Sequence, residues 1–266
     1  MGKLIIGRYL PGDSLIHHLD PRGKFVGTFL FVLIVFLANN WVTYLLLTAF
    51  VLLAVKLSGI SLKFFIKGIR PMIYLILFTV LLQMFFTPGG DPFWQWGIFS
   101  LSKLSILNGL FIFIRFLLII FISTLLTVTT TPLQMSDAME YLLKPLRIVH
   151  FPVDEVALML SIALQFIPLL SDETTKIMNA QRARGVDFGE GSLINQIKAV
   201  VPILIPLFVS SFNIAYDLSV AMESRGYHGS EGRSKYRQLQ WQAADTWMLV
   251  VFGLLAVCLI GLRSYS

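Results

Sequence analysis

Two short segments carry the clearest chemical potential in this chain. Ala180-Gln181-Arg182-Ala183-Arg184-Gly185 and Ala221-Met222-Glu223-Ser224-Arg225-Gly226 share the pattern A-x-x-[A/S]-R-G. Each follows an Ile-Pro-Leu step, Ile167-Pro168-Leu169 and Ile205-Pro206-Leu207, with the Pro 16 or 19 residues ahead of the Arg. An Arg-Gly pair at a helix end has a plain explanation in capping: Gly adopts the left-handed C-terminal conformation and the cation complements the helix dipole. It also has a functional one. Small residues before the Arg let a partner approach the backbone, and a terminal guanidinium can pair bidentately with a carboxylate. The two accounts are compatible, and the repetition brings docking level with capping.

Other residues invite chemistry less. Arg115 lies about ten residues inside an apolar run, where a charge costs roughly 2.5–3.5 kcal/mol and should face protein or water. It reads as a structural pair or a snorkelling cation, with a substrate path as the competing reading. Pro71, Pro168 and Pro206 are expected to start or kink helices, and hinges are the alternative. The histidines at 17, 18, 150 and 228 lack metal-ligand spacing, and the single cysteine, Cys258, can form neither a disulfide framework nor a cysteine metal site. No phosphate-binding G-x-x-x-x-G-K-[ST] loop and no nucleophile-base constellation occurs. Neither catalysis by this chain nor a metal or cofactor is expected.

The elements that must position these residues are membrane helices. Apolar residues make up 56% of the 266, charged residues 14%, and mean hydropathy is +0.77, against roughly 25% charge in a soluble domain. Five runs read as spans: Phe25–Ala38, Trp41–Val55, Pro71–Phe86, Ile106–Val128 and Thr246–Leu262. The first is expected to be a span rather than a cleaved leader, since no small-residue cleavage site follows it. Asp20-Pro21 can cap its start, with Arg22 and Lys24 snorkelling. The N-terminal tail and the segment from Lys56 to Arg70 are both basic, so both should be cytoplasmic with two spans between them. Asn39-Asn40-Trp41 is then an outside turn, and Thr87–Ser105 an outside loop anchored by Trp94 and Trp96. The net charge of +6 orients the protein in the lipid bilayer, and nucleic acid is not an expected partner.

Residues 133–240 differ, holding ten of the 21 Lys and Arg. Two long helices are expected there, from about Asp154 to Arg184 and from about Ser192 to Arg225, each roughly 45 to 50 Å long. Their apolar parts, Val156–Leu170 and Ala199–Phe212, are ambiguous between span and buried helix. If both crossed the membrane, Lys176, Arg182, Arg184 and Lys198 would face outside, against the positive-inside tendency. The expected architecture is therefore all-α and polytopic. Residues 1–131 form a membrane segment with four spans, 132–240 a cytoplasmic helical domain bearing both boxes, and 241–266 a last span.

An ordered set of motifs resembles the EcfT family, the transmembrane (T) components of energy-coupling factor (ECF) transporters. The set runs Thr129-Thr130-Thr131-Pro132, Lys144-Pro145-Leu146, Pro152-Val153, Ala157-Leu158-Met159-Leu160-Ser161, Phe166-Ile167-Pro168-Leu169-Leu170 and Ala180 to Gly185. Asp217-Leu218 with Ala221 to Tyr227 and the basic entry at Arg70-Pro71 complete it. The resemblance implies a non-catalytic scaffold in a prokaryotic plasma membrane, joining two ABC-type ATPase subunits to a substrate-binding S component for uptake of a vitamin or similar micronutrient. It implies that Ala183-Arg184-Gly185 and Ser224-Arg225-Gly226 dock into grooves on the ATPases, that the long helices act as coupling levers, and that ATP is hydrolysed in the partner chains. Two departures stand out: Ser224 where Ala is typical, and Gln165 where many members have Arg. The rival readings are a permease with its own substrate path through Arg115 and an intramembrane enzyme, the latter disfavoured by the lack of a polar cluster inside the spans.

Overall fold

The computed structural model describes residues 9–86, 92–96, 99–186, 193–229 and 239–263. The described chain is almost wholly α-helical and divides into two compact units, one of residues 1–139 with 239–266 and the other of residues 140–238.

In the first unit a short helix α1 (Leu15–His18) precedes α2 (Pro21–Val35), α3 (Trp41–Leu57), α4 (Leu62–Ile69) and α5 (Ile73–Phe86). Then come the strands β1 (Pro92–Trp96) and β2 (Phe99–Ser102), helix α6 (Lys103–Thr129) and, near the chain's end, α10 (Ala243–Arg263). Local side chains fix the boundaries. Asp20 caps α2, accepting the Arg22 N–H at 2.8 Å, and Pro21 takes the first helical position. The Thr43 hydroxyl accepts the Asn40 N–H at 3.0 Å and donates to the Asn40 carbonyl at 2.6 Å, starting α3. Ser102 caps α6 through the Ser105 N–H at 3.0 Å. The tail of the unit opens α7 (Pro132–Leu143), where Thr131 and Gln134 cap each other reciprocally, the Thr131 N–H reaching Oε1 at 2.9 Å and the Gln134 N–H reaching Oγ1 at 3.3 Å.

Helix α6 is the hub: it packs against α2, α3, α4 and α5, while α10 packs against α2 and α3. The core joins Phe31 and Val35 of α2, Leu47 and Val51 of α3, Leu118 and Ile122 of α6, and Phe252 and Leu259 of α10. Close approach is set by small residues. A Cβ on Gly27 would come within 2.7 Å of the Phe252 ring, and one on Gly109 within 2.6 Å of Met84.

The expected spans fall on α2, α3, α5, α6 and α10 with ends shifted by a few residues. Pro71 lies in the turn between α4 and α5 rather than at the head of a span. The expected outside loop contains an antiparallel hairpin pairing Trp94 with Leu101 and Trp96 with Phe99, because aromatic-rich segments flank a two-residue link. By length and composition, the described helices able to cross a membrane are 103–129, 153–183, 200–224 and 243–263, with α3 and α4 as a fifth candidate bent by 118°. Length and hydropathy thus admit the two long helices of the second unit as well.

In the second unit a 3-10 turn (Lys144–Val149) leads through His150, in left-handed conformation at φ 58°, to α8 (Val153–Ala183), which packs against α9 (Leu193–Ser224). Asp154 and Glu155 in the first turn of α8 suit its positive dipole end, and Asp154 is paired with Arg147.

Lys24 departs from expectation: it does not snorkel. It is 6% exposed, and its Nζ donates to the carbonyls of His17 at 3.2 Å and Thr129 at 3.1 Å. Nearby, Asp245 is fully buried, its Oδ1 accepting the Asp20 N–H and its Oδ2 the Gln242 N–H, each at 2.7 Å. Asp245→Ala takes the acceptor from the buried Asp20 amide and the part-buried Gln242 amide and removes one of the two carboxylates near the buried Lys24. It is expected to cost about 3–5 kcal/mol, with Asp245→Asn in between because it keeps an acceptor without the charge. Thermal unfolding of the purified chain in detergent checks this, and a wild-type midpoint for the alanine variant would contradict it.

Candidate functional site

The two Arg-Gly boxes finish α8 and α9 with the same backbone device. At the end of α8 the Gly185 N–H bonds the Arg182 carbonyl at 2.9 Å and the Val186 N–H bonds the Gln181 carbonyl at 3.0 Å. At the end of α9 the Gly226 N–H bonds the Glu223 carbonyl at 2.9 Å and the Tyr227 N–H bonds the Met222 carbonyl at 3.0 Å. Each is a Schellman pair, with Arg184 or Arg225 as the C-cap and a left-handed glycine after it, at φ 85° for Gly185 and 76° for Gly226. A Cβ built on either glycine meets nothing within 4 Å. The glycines therefore answer to backbone conformation, and the space beside each is open among the described residues.

Arg184 and Arg225 are exposed, as are Ala183, Gly185, Ser224 and Gly226. Among the described residues no hydrogen bond or ion pair engages either guanidinium. The Ser224 hydroxyl folds back on the Ala221 carbonyl at 3.0 Å, so it presents little more than the small surface an Ala would.

The boxes are also well separated. Gln181 touches α9 at Pro202, and Arg225 lies 23 residues further along, a rise on the order of 30 Å. One compact carboxylate site could not take both arginines.

Pro168 lies inside α8, and Pro202 and Pro206 lie inside α9, with neither helix interrupted. Sequence reasoning singled out Pro206 but not its neighbour. Flanking side chains keep much apolar surface in the open: Leu204, Ile205, Phe208, Val209, Phe212 and Tyr216 of α9 are all exposed.

Arg115 sits in the first unit, apart from the boxes. Its Nη2 donates to the Tyr44 hydroxyl at 2.8 Å and to the Ala38 carbonyl at 3.5 Å, and the guanidinium lies over the Phe36 ring at 5.1 Å. Phe36 and Ala38 lie in the turn joining α2 and α3, Tyr44 lies in the first turn of α3, and none is a carboxylate. A phenol, a carbonyl and a ring face together solvate one side of the half-buried cation, while its buried Nε has no partner among the described residues.

The comparisons with known proteins agree with one another. The CbiQ family model, described as a cobalt transport protein, matches residues 12–236. The protein named energy-coupling factor transporter transmembrane protein EcfT of Lacticaseibacillus paracasei is 58% identical over 260 residues, covering 96% of this chain and 98% of its own length. EcfT 1 of Listeria monocytogenes is 54% identical, covering 98% of each chain, and EcfT of Bacillus subtilis is 51% identical, covering 99% of this chain and all of its own.

The setting of Arg115 has a direct test. A hydrogen bond to a charged group contributes about 1.5–3 kcal/mol, so Tyr44→Phe is expected to lower stability by that order. In an Arg115→Leu background the same change should cost almost nothing further. Additive losses across this cycle, read from unfolding midpoints, would show that the two side chains act separately.

Proposed function

The chain belongs to the EcfT family, the transmembrane proteins of energy-coupling factor transporters, and on that premise we propose that it is the scaffold that carries ATP-driven motion to a substrate-binding subunit. In this reading two ABC-type ATPase subunits hold the Arg184 and Arg225 boxes. A small S component, which binds a vitamin or similar micronutrient, meets the exposed apolar flanks of α8 and α9. This chain hydrolyses nothing itself.

The observation that carries the reading is the repeated cap. A guanidinium beyond a helix C-terminus, exposed and unpaired among the described residues, with small residues beside it, is a ready partner for a carboxylate in a groove. Two such ends, on the order of 30 Å apart, suit two separate grooves and hence a pair of ATPase subunits. A helix of 31 residues, as α8 is, is about 46 Å long, enough to pass displacement at its tip to packing along its body. Closure of the ATPases on ATP would drive that displacement. Coupling then requires different contacts in the two ATPase states, since a partner with equal affinity for both shifts nothing.

Docking of this kind needs residues 140–238 on the cytoplasmic side. The charge pattern supports that placement even though α8 and α9 are long and apolar enough to cross. Were both to cross, Lys176, Arg182 and Arg184 would lie outside together. Single cysteines in a Cys258→Ser background test it. Asn40→Cys should react with an impermeant thiol reagent on intact cells, whereas Asn179→Cys and Ser61→Cys should react only after the inner face is opened. Labelling of Asn179→Cys from outside would end the cytoplasmic placement.

The arginines supply the decisive experiment. Removing one partner of a buried charge pair costs about 2–5 kcal/mol, so Arg184→Ala or Arg225→Ala should each weaken ATPase binding by roughly 30-fold or more. The double variant should lose the avidity of two-point attachment. Under capping alone each change costs about 0.3–1 kcal/mol of helix stability and the complex survives. Arg→Lys separates the accounts, because it keeps the dipole interaction and loses the planar fork. A double alanine variant that retains both ATPase subunits at wild-type yield in high salt would overturn the docking role.

A further inference from the structure

We propose that Gln181 is a positioning residue that fastens the Arg184 end of α8 to α9 at a carbonyl left open by Pro206. In an α-helix the N–H of each residue bonds the carbonyl four positions earlier. Pro206 has no N–H, so the carbonyl of Pro202 lacks its regular partner within α9. A polar backbone group so placed seeks another donor, and the Gln181 amide Nε2 supplies it from α8 at 3.3 Å.

The same residue holds the cap. The Gln181 carbonyl accepts the Arg184 N–H at 3.1 Å and the Val186 N–H at 3.0 Å. Its main chain therefore fixes the turn that presents Arg184, and its side chain fixes that turn to α9. Only two residues, Arg182 and Ala183, lie between Gln181 and Arg184. Pro202 and Pro206 together remove two amide donors within five residues of α9, so its own ladder is weakest where Gln181 reaches it.

The second box has no counterpart. Met222 holds the equivalent position in the Schellman pair, and a thioether cannot donate a hydrogen bond. Among the described residues, the turn that presents Arg225 has no side-chain hydrogen bond of this kind to another helix. The two boxes share a cap and differ in support: displacement at Arg184 is delivered directly to the crossing of α8 with α9, and displacement at Arg225 travels along α9. This difference in function rests on the reading that Arg184 docks with an ATPase subunit.

The test restores the missing donor. Pro206→Ala returns an N–H that can bond the Pro202 carbonyl within α9 and so makes the Gln181 amide dispensable. Spin labels at Lys176→Cys and Tyr216→Cys, in a Cys258→Ser chain reconstituted in nanodiscs, report the α8–α9 geometry. Retention of ATPase subunits on purification of the full complex reports docking. Gln181→Ala is expected to shift or broaden the distance distribution and to lower ATPase retention by about 2- to 10-fold, the range set by one hydrogen bond. Gln181→Glu should do at least as much, since it sets an acceptor against a carbonyl. The Gln181→Ala, Pro206→Ala pair should return both readouts to those of Pro206→Ala alone. An unchanged distance distribution in Gln181→Ala, or a defect that persists in full beside Pro206→Ala, would overturn the proposal. A shifted distribution with unchanged ATPase retention would leave the fastening in place and overturn its role in positioning Arg184 for docking.

Discussion

The first unit depends on one buried carboxylate. Asp245 accepts the backbone N–H of Asp20, the cap residue of α2, and of Gln242, just ahead of α10. Two helix N-termini, each with a positive dipole end and unpaired amides, therefore share one negative charge. The cation that accompanies it, Lys24, is turned the opposite way, onto the last carbonyl of α6 at Thr129 and onto His17 at the end of α1. Negative charge meets helix starts and positive charge meets helix ends. No member of this cluster is stable in apolar surroundings by itself, so the ends of α1, α2, α6 and α10 are held to a single arrangement.

Helices α2 and α6 carry the constraint across the unit. Lys24 of α2 reaches Thr129 of α6, and Arg115 of α6 reaches Ala38 just beyond α2. The separations match, with 14 residues from 24 to 38 and 14 from 115 to 129. An antiparallel pair fastened at two levels an equal number of residues apart cannot slide by a turn without breaking both contacts. In each contact a cation donates to a backbone carbonyl, an interaction that keeps its strength where water is scarce. Arg115 thus belongs to the same logic as Lys24, and a charge within an apolar run serves to set register.

Much of this was legible in the sequence, and what was not has physical reasons. The apolar runs, the Asp20-Pro21 start, and the extents of α8 and α9 are local properties, read from hydropathy and from caps within four residues. The boxes were legible because helix, C-cap and glycine are consecutive. The Asp245 cluster was not, since Asp245 lies more than 200 residues from Asp20 in the chain and a lysine near a span end ordinarily snorkels. Thr131-Pro132-Leu133-Gln134 carries a local capping signal for α7 as well. Length alone is ambiguous: α2 and α5, at 15 and 14 residues, are shorter than the roughly 20 a bilayer needs, while α8 and α9 are long and apolar enough to cross.

The repeat shows how equal geometry can hide unequal mechanics. Selection for a left-handed glycine and a terminal arginine makes two ends look alike, because the Schellman turn is stable on any helix and specifies only six residues. What lies one turn earlier is free to differ. Gln181 can reach across to a neighbour and Met222 cannot, and only a proline four residues beyond an open carbonyl gives the amide something to hold. That pairing of a glutamine on one helix with Pro206 on the next is invisible to a search for repeated motifs, since its two halves do not repeat. It emerges from asking where each backbone carbonyl finds its donor, a question that a proline in a continuous helix always raises.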